Sequence, residues 1–275
     1  MRGRTGKVRA GVPRDRPGTT HPTTPAASPA QDPHAGRAEP FAYPRVAADF
    51  AFRTPPAQVS PLVLVDYGIG NLRSLEKAFA HVGVAVHRTD DPDAIAQASR
   101  LVVPGVGAFG ACIDALSARG LVEPIRAAAA REVPLLGVCV GMQLLFEAGE
   151  EHGLHAGLGL MPGRIVRFAD GLTVDEPGPD GTLVARRLKV PHMGWSPVRP
   201  AGENALRLDA GAYFYFVHSY HALPDDPSDV AAWADYGAPF PAAVARGRVF
   251  GVQFHPEKSQ TAGLRLLRAF ADLPA

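Results

Sequence analysis

From Leu62 onward, short unbroken apolar runs alternate with amphipathic stretches, a pattern that fits a parallel sheet covered by helices on both faces and few other architectures. The spacing predicts strands at Leu62 to Asp66, Val84 to His87, Leu101 to Val103 and Leu135 to Val138. Helices are predicted over Leu72 to Val82, around Gly110 to Ser117 and over Pro124 to Arg131, and Met142 to Glu147 reads as the opening of another. After Gly163 the character turns β-rich. Arg164 to Phe168 and Tyr213 to His218 read as strands, and Ala242 to Phe254 as a hairpin turning at Arg246-Gly247. Leu264, Leu267 and Phe270 recur at helical spacing in a closing helix, about Gln260 to Ala271.

Residues 1–60 break this pattern. They are rich in Pro, Ala, Thr, Arg and Gly and poor in large apolar groups, so little burial could offset the entropy of ordering them. They are read as a disordered tail, with a basic nucleic-acid arm, a targeting peptide or an over-extended reading frame as alternatives. Nine basic and four acidic residues lie up to Ser60, against 19 basic and 23 acidic beyond it. The expected folded domain, residues 61–275, is therefore mildly acidic and carries no nucleic-acid footprint. The longest nearly apolar run, Val133 to Phe146, is shorter than the roughly 20 residues of a membrane span and contains Gln143. With no apolar block near Met1, the expected address is cytoplasmic. Two cysteines, Cys112 and Cys139, are too few for a disulfide framework, and no tight ligand pair suggests a metal.

The sharpest local signal is Gly137-Val138-Cys139-Val140-Gly141, at the end of one apolar strand and the start of a helix. It has the form of a nucleophile elbow, in which flanking glycines permit the tight turn that lifts the nucleophile out of the sheet. A helix N-terminus favours thiolate over thiol and offers the Val140 N–H to a developing oxyanion. A proton shuttle is offered by Phe254-His255-Pro256-Glu257, where an extended segment would place His255 and Glu257 on one side of the chain, carboxylate behind imidazole. His192, His218 and His221 compete for this role but lack a carboxylate two residues on. Cys112, mid-helix, reads as structural. Gly105-Val106-Gly107-Ala108-Phe109-Gly110 fits the dinucleotide fingerprint, yet follows the third strand and is entered through Pro104. The same glycines serve as an oxyanion strand facing Val140.

Six segments together resemble the class I, triad-type glutamine amidotransferases, and among them the glutaminase subunits of imidazole glycerol phosphate synthase. They are Asp66-Tyr-Gly-Ile-Gly-Asn71, Pro104-Gly-Val-Gly107, Gly137-Val-Cys-Val-Gly-Met-Gln143, Pro191-His-Met-Gly-Trp195, Tyr215-Phe-Val-His-Ser-Tyr220 and Phe254-His-Pro-Glu-Lys-Ser259. The resemblance runs from about Leu62 to the C-terminus. Departures are Val140, where leucine is usual, and His221 after Ser-Tyr.

The resemblance implies Cys139 as nucleophile, His255 as acid/base and Glu257 as its orienting group. It implies that L-glutamine is held near Gly107, Gln143, Ser219 and Tyr220, and the oxyanion by Val140 and the Gly105-Val106-Gly107 strand. Asn71, Trp195 and Lys258 match positions that look toward a (β/α)8 cyclase, the expected heterodimer partner. The implied activity is glutamine hydrolysis supplying ammonia to that cyclase in histidine biosynthesis, without a cofactor. The glutaminase of another synthase, of the pyridoxal phosphate or anthranilate type, and a non-catalytic amidotransferase-like subunit are the alternatives. The expected fold is α/β: a flavodoxin-like three-layer α/β/α domain with a mixed sheet.

Overall fold

The computed structural model describes residues 62–275, so the expected tail lies outside the described residues. The first half alternates as β1 Leu62–Val65, α1 Leu72–His81, β2 Val86–Thr89, α2 Pro92–Ala96, β3 Arg100–Val103, α3 Phe109–Ala118, α4 Val122–Ala130 and β4 Leu135–Val138, then the single turn α5 Val140–Gln143. Strands dominate the second half: β5 Phe146–Gly149, β6 His155–Ala156, β7 Met161–Arg167, β8 Thr173–Pro177, β9 Leu183–Arg187, β10 His192–Pro197, β11 Arg199–Pro200, β12 Tyr213–His218 and β13 Tyr220–Pro224. β14 Val230–Asp235, β15 Pro239–Arg246 and β16 Val249–Val252 follow, and α6 Gln260–Ala271 closes the fold.

The main sheet runs β11-β14-β15-β16-β4-β3-β1-β2. It is parallel from β2 to β16 and antiparallel from β16 to β11, the mixed sheet expected. β1, β3 and β4 are buried along their whole length, as continuous apolar runs require, whereas edge strand β2 is not. The right-handed rule for parallel crossovers sets α1 on one face and α2 and α4 on the other, and α1 packs with the closing α6 as α2 does with α4. α1 buries Leu72, Leu75, Ala78 and Phe79, a stripe with the helical period. A second sheet, β13-β7-β5-β6, and the β10–β12 ribbon complete the site's walls. Among the described residues no helix is long and apolar enough to cross a membrane.

Several expectations shift. The helix expected from Met142 to Glu147 is one turn long and gives way to β5, because Leu144, Leu145 and Phe146 are all buried and leave no exposed helical face. β2 begins two residues later than expected, and the β15–β16 turn falls at Gly247-Arg248, with Gly247 at φ 57°. The segment after His255 is not extended: Pro256–Lys258 forms a 3-10 turn. α2, the exposed β8–β9 hairpin, β10, β13 and β14 were not foreseen.

Candidate active site

Cys139 sits between β4 and α5 with φ 56° and ψ −115°, a conformation that L-residues adopt only under constraint. The constraint is close packing on both sides. A Cβ on Gly137 would lie 2.6 Å from the Gly141 carbonyl oxygen, and one on Gly141 would lie 1.9 Å from that of Val103. The Cys139 N–H donates to Val252 O at 2.8 Å, tying the elbow to β16. β16 lies parallel to β4, with Gly251 opposite Gly137, so the chain leaving β16 delivers His255 to the same end of the sheet as Cys139.

His255 is held by its backbone. Its N–H donates to Tyr215 O at 2.9 Å, and its carbonyl accepts from Ser259 Oγ at 2.6 Å. The 3-10 turn then folds Glu257 back, bringing Oε1 to 2.8 Å from His255 Nδ1. Gly263 permits this turn, since a Cβ there would lie 1.9 Å from the Pro256 carbonyl oxygen. Expecting extended backbone was wrong in path, yet the two side chains meet. Asn71 Nδ2 donates to the same Oε1 at 2.9 Å, while Oε2 is buried without a hydrogen-bond partner among the described residues. Both side chains are almost fully buried, at 3% and 0% exposure.

Electrostatics favour a charged pair. Burial acts to lower the His255 pKa, but hydrogen bonds to Cys139 and Glu257 and their negative charges raise it, to about 9. Burial acts to raise that of Glu257, and the His255 and Asn71 contacts more than offset it, leaving the carboxyl below its usual range.

A cavity of about 430 Å³ opens on this group and is lined by Cys139, His255, Gly107, Gln143, Ser219 and Tyr220 among others. Val106 and Val140 also face it. Gly105 does not; a Cβ there would lie 2.5 Å from Gly141 N, so its role is to let the loop approach the elbow. The loop is pinned from behind, Tyr67 Oη donating to Pro104 O at 2.6 Å and Cys112 Sγ to Val106 O at 3.3 Å. With that carbonyl taken, the N–H of the same trans peptide, Gly107's, points the opposite way. Gly110 is accounted for by His155, whose ring would be 2.7 Å from a Cβ there. Of the glycines in the apparent dinucleotide fingerprint, Gly105 thus serves packing against the elbow and Gly110 packing of α3 against β6, while Gly107 takes a φ of 85° with open space around it.

Trp195 is 45% exposed and meets the Tyr215 ring edge-on at 5.9 Å, with Lys258 Nζ 5.5 Å from the centre of the same ring. Asn71 is turned instead toward Glu257, a contact the sequence reading missed. It also missed Gln253, fully buried, whose Oε1 accepts from Gln143 at 3.0 Å and whose Nε2 lies 4.0 Å from Cys139 Sγ. The signal was available: a glutamine between Val252 and Phe254, in a run otherwise fit for a buried strand. Glu151 lines the cavity too and accepts from the Phe109 N–H at 2.7 Å.

The family model for glutamine amidotransferase class-I matches residues 63–272. Imidazole glycerol phosphate synthase subunit HisH of Salinibacter ruber is 57% identical over 213 residues, covering 77% of this chain and 94% of that protein. The subunit of the same name from Syntrophotalea carbinolica is 52% identical over 215 residues, 77% of this chain and 100% of the relative. Among solved structures, PurLQS from Thermotoga maritima superposes with a TM-score of 0.56 at 19% identity, over 78% of this chain and 99% of that one. A crystal structure of a glutamine amidotransferase does so with a TM-score of 0.55 at 19% identity, over 77% and 97%. At that identity the structural likeness speaks for the fold alone.

Proposed function

The chain belongs to the class-I glutamine amidotransferases, and among them to the glutaminase subunits of imidazole glycerol phosphate synthase, and we propose that it hydrolyses L-glutamine through Cys139, His255 and Glu257. The observation that carries this reading is the elbow: a cysteine held at φ 56° that opens on one cavity together with His255, with the Glu257 carboxylate buried behind the imidazole.

In this reading Cys139 Sγ attacks the side-chain carboxamide carbon, and His255 gives its proton to the departing ammonia. His255 then takes a proton from water as that water attacks the thioester, and glutamate leaves. Glu257, steadied by Asn71, keeps the imidazole aimed and balances its charge. Glutamine lies against Gly107, Gln143, Ser219 and Tyr220. The Val140 N–H supplies one oxyanion donor and the Gly105-Val106-Gly107 loop the other.

The ammonia passes to a (β/α)8 cyclase docked over Trp195 and Lys258 in a cytoplasmic heterodimer. There the cyclase builds it into the imidazole ring of imidazole glycerol phosphate and releases an aminoimidazole carboxamide ribonucleotide as the second product, for histidine biosynthesis. Glutamine hydrolysis itself needs no cofactor. A glutaminase uncoupled from its synthase would waste glutamine, so the loop donor is expected to be set by the partner. Losing one oxyanion donor costs roughly 10²–10³ in rate. Steady-state glutamate release should therefore be at least about 10²-fold slower for the isolated chain than with cyclase and its nucleotide ligand. Equal rates would mean that the loop is a rigid turn, and no glutamate in either case would remove the glutaminase reading.

A further inference from the structure

Side-chain alternation gives the β10–β12 ribbon two unlike faces. Met193, Trp195 and Tyr213 are exposed on one; His192, Phe214, Phe216 and His218 are buried on the other. His192 and His218 lie opposite one another in the register, with His192 Nδ1 3.2 Å from His218 Nε2. Their remaining nitrogens are also engaged. His218 Nδ1 is 2.8 Å from the Tyr220 carbonyl oxygen, and His192 Nε2 is 3.0 Å from Ser196 Oγ.

Valence fixes the protons along this chain. A carbonyl oxygen only accepts, so His218 carries its proton on Nδ1. The pair sits in an aromatic box: His192 stacks on Tyr236 and Phe216 at 4.2 and 5.0 Å, and His218 lies against Phe168 and Phe240 at 5.2 and 5.1 Å. Burial there pushes His192 down to about 4 and His218 to about 3, so both are neutral at pH 7. A neutral His218 leaves a lone pair on Nε2, which makes His192 Nδ1 the donor. His192 Nε2 is then the acceptor for the Ser196 hydroxyl. One direction of donation results, from Ser196 through both rings to the Tyr220 carbonyl. That carbonyl accepts as well from Gln143 Nε2 at 3.1 Å, the amide that also bonds Gln253 beside Cys139.

We infer that His192 and His218 are positioning residues: a proton-ordered pair that locks the Ser219-Tyr220 wall of the cavity in register with β10 and so holds that wall in place against bound glutamine. This deepens the glutaminase reading and rests on it. An apolar pair would fill the same box without fixing register. A hydrogen-bond chain with a single allowed direction, ending on a carbonyl that already accepts two bonds, has one low-energy arrangement.

The first test needs no activity. In the chain labelled with ¹⁵N-histidine, both imidazoles should be neutral Nδ1–H tautomers from pH 8 down to about 5, with scalar coupling across the N–H···N bond. A charged ring at pH 7, or an Nε2–H tautomer for His218, overturns the assignment. The second test is kinetic, in the complex with cyclase. His218→Phe keeps the ring stack but leaves the Tyr220 carbonyl short of one donor; it should raise the glutamine KM about tenfold, the worth of one hydrogen bond, and leave synthesis from ammonium salts unchanged. His218→Asn, with an N–H donor at the δ position, should recover most of the loss. Ser196→Ala, at the mild end of the chain, should raise KM less. An unchanged KM in His218→Phe, or no recovery in His218→Asn, refutes the positioning role. Should His218→Phe fail to fold, His218→Asn against Ser196→Ala decides by the same measure. A wild-type complex that released no glutamate would count against the glutaminase reading while the tautomer result stood.

Discussion

Alanine at Gly141 tests whether the elbow is held by backbone contact. The added Cβ would lie 1.9 Å from the Val103 carbonyl oxygen, 2.8 Å from its carbon and 3.0 Å from the Pro104 carbonyl carbon. None of these atoms belongs to a side chain that could swing away, and β3 is fixed between β1 and β4. A carbon–oxygen contact relaxes only beyond about 3 Å, so elbow and strand must separate by roughly 1 Å. Overpacking of this kind typically costs about 1–3 kcal/mol, and a reacting group misplaced by about 1 Å loses roughly 10²-fold in rate. Thermal unfolding and glutamate release in the cyclase complex measure the two effects. The expected result for Gly141→Ala is a fall in Tm of at least about 2–4 °C with a rate loss near 10²-fold. Gly83→Ala is the control: φ is 75° but nothing lies within 4 Å of the new Cβ and the residue is outside the cavity, so the cost is about 1–2 kcal/mol of backbone strain without displacement of Cys139. A Gly141→Ala enzyme with native Tm and rate would refute the claim that close packing sets the nucleophile's conformation.

Asn71→Ala removes the second donor from Glu257 Oε1; a hydrogen bond to a charged group is worth about 1.5–3 kcal/mol, so kcat for glutamine should fall at least about tenfold, and an unchanged kcat would make Asn71 a bystander. Glu257→Ala should lose more, roughly 10²-fold, because the imidazole then loses aim and counter-charge together. Because His255 is raised to about 9, the proton needed by the leaving ammonia stays on the imidazole through neutrality and is lost as pH rises through about 9; glutamate release should decline there, and an inflection near 6.5 would contradict the charged pair. Removing residues 1–58 is expected, on composition alone, to leave Tm within a few degrees and cyclase binding intact, and a loss of either would make the segment structural.

What was legible in the sequence divides by range of interaction. Continuous apolar runs such as Leu135-Leu-Gly-Val138 announce central strands, because burial on both faces leaves no room for polar residues. The elbow was legible because its two glycines and cysteine act within five residues. The reach from His255 to Glu257 was legible as a pairing but not as a path, since the 3-10 turn depends on Gly263 meeting Pro256. Strands such as β13 and β14 were missed because each pairs with a partner far along the chain, Tyr220 against Arg167 and Trp233 against Arg199. Asn71, 186 residues from Glu257, carries no local signal of that contact at all. The His192–His218 pair has the same origin: separate strands brought opposite one another by the ribbon register.

The central claim, that Cys139 is the nucleophile of a glutamine-driven ammonia supply, is tested most directly by Cys139→Ala assembled with cyclase and assayed with two nitrogen sources. Product formation from glutamine should vanish, while formation from added ammonium salts, which bypass the glutaminase, should continue at the wild-type rate. Glutamine-dependent synthesis surviving in Cys139→Ala would contradict the account.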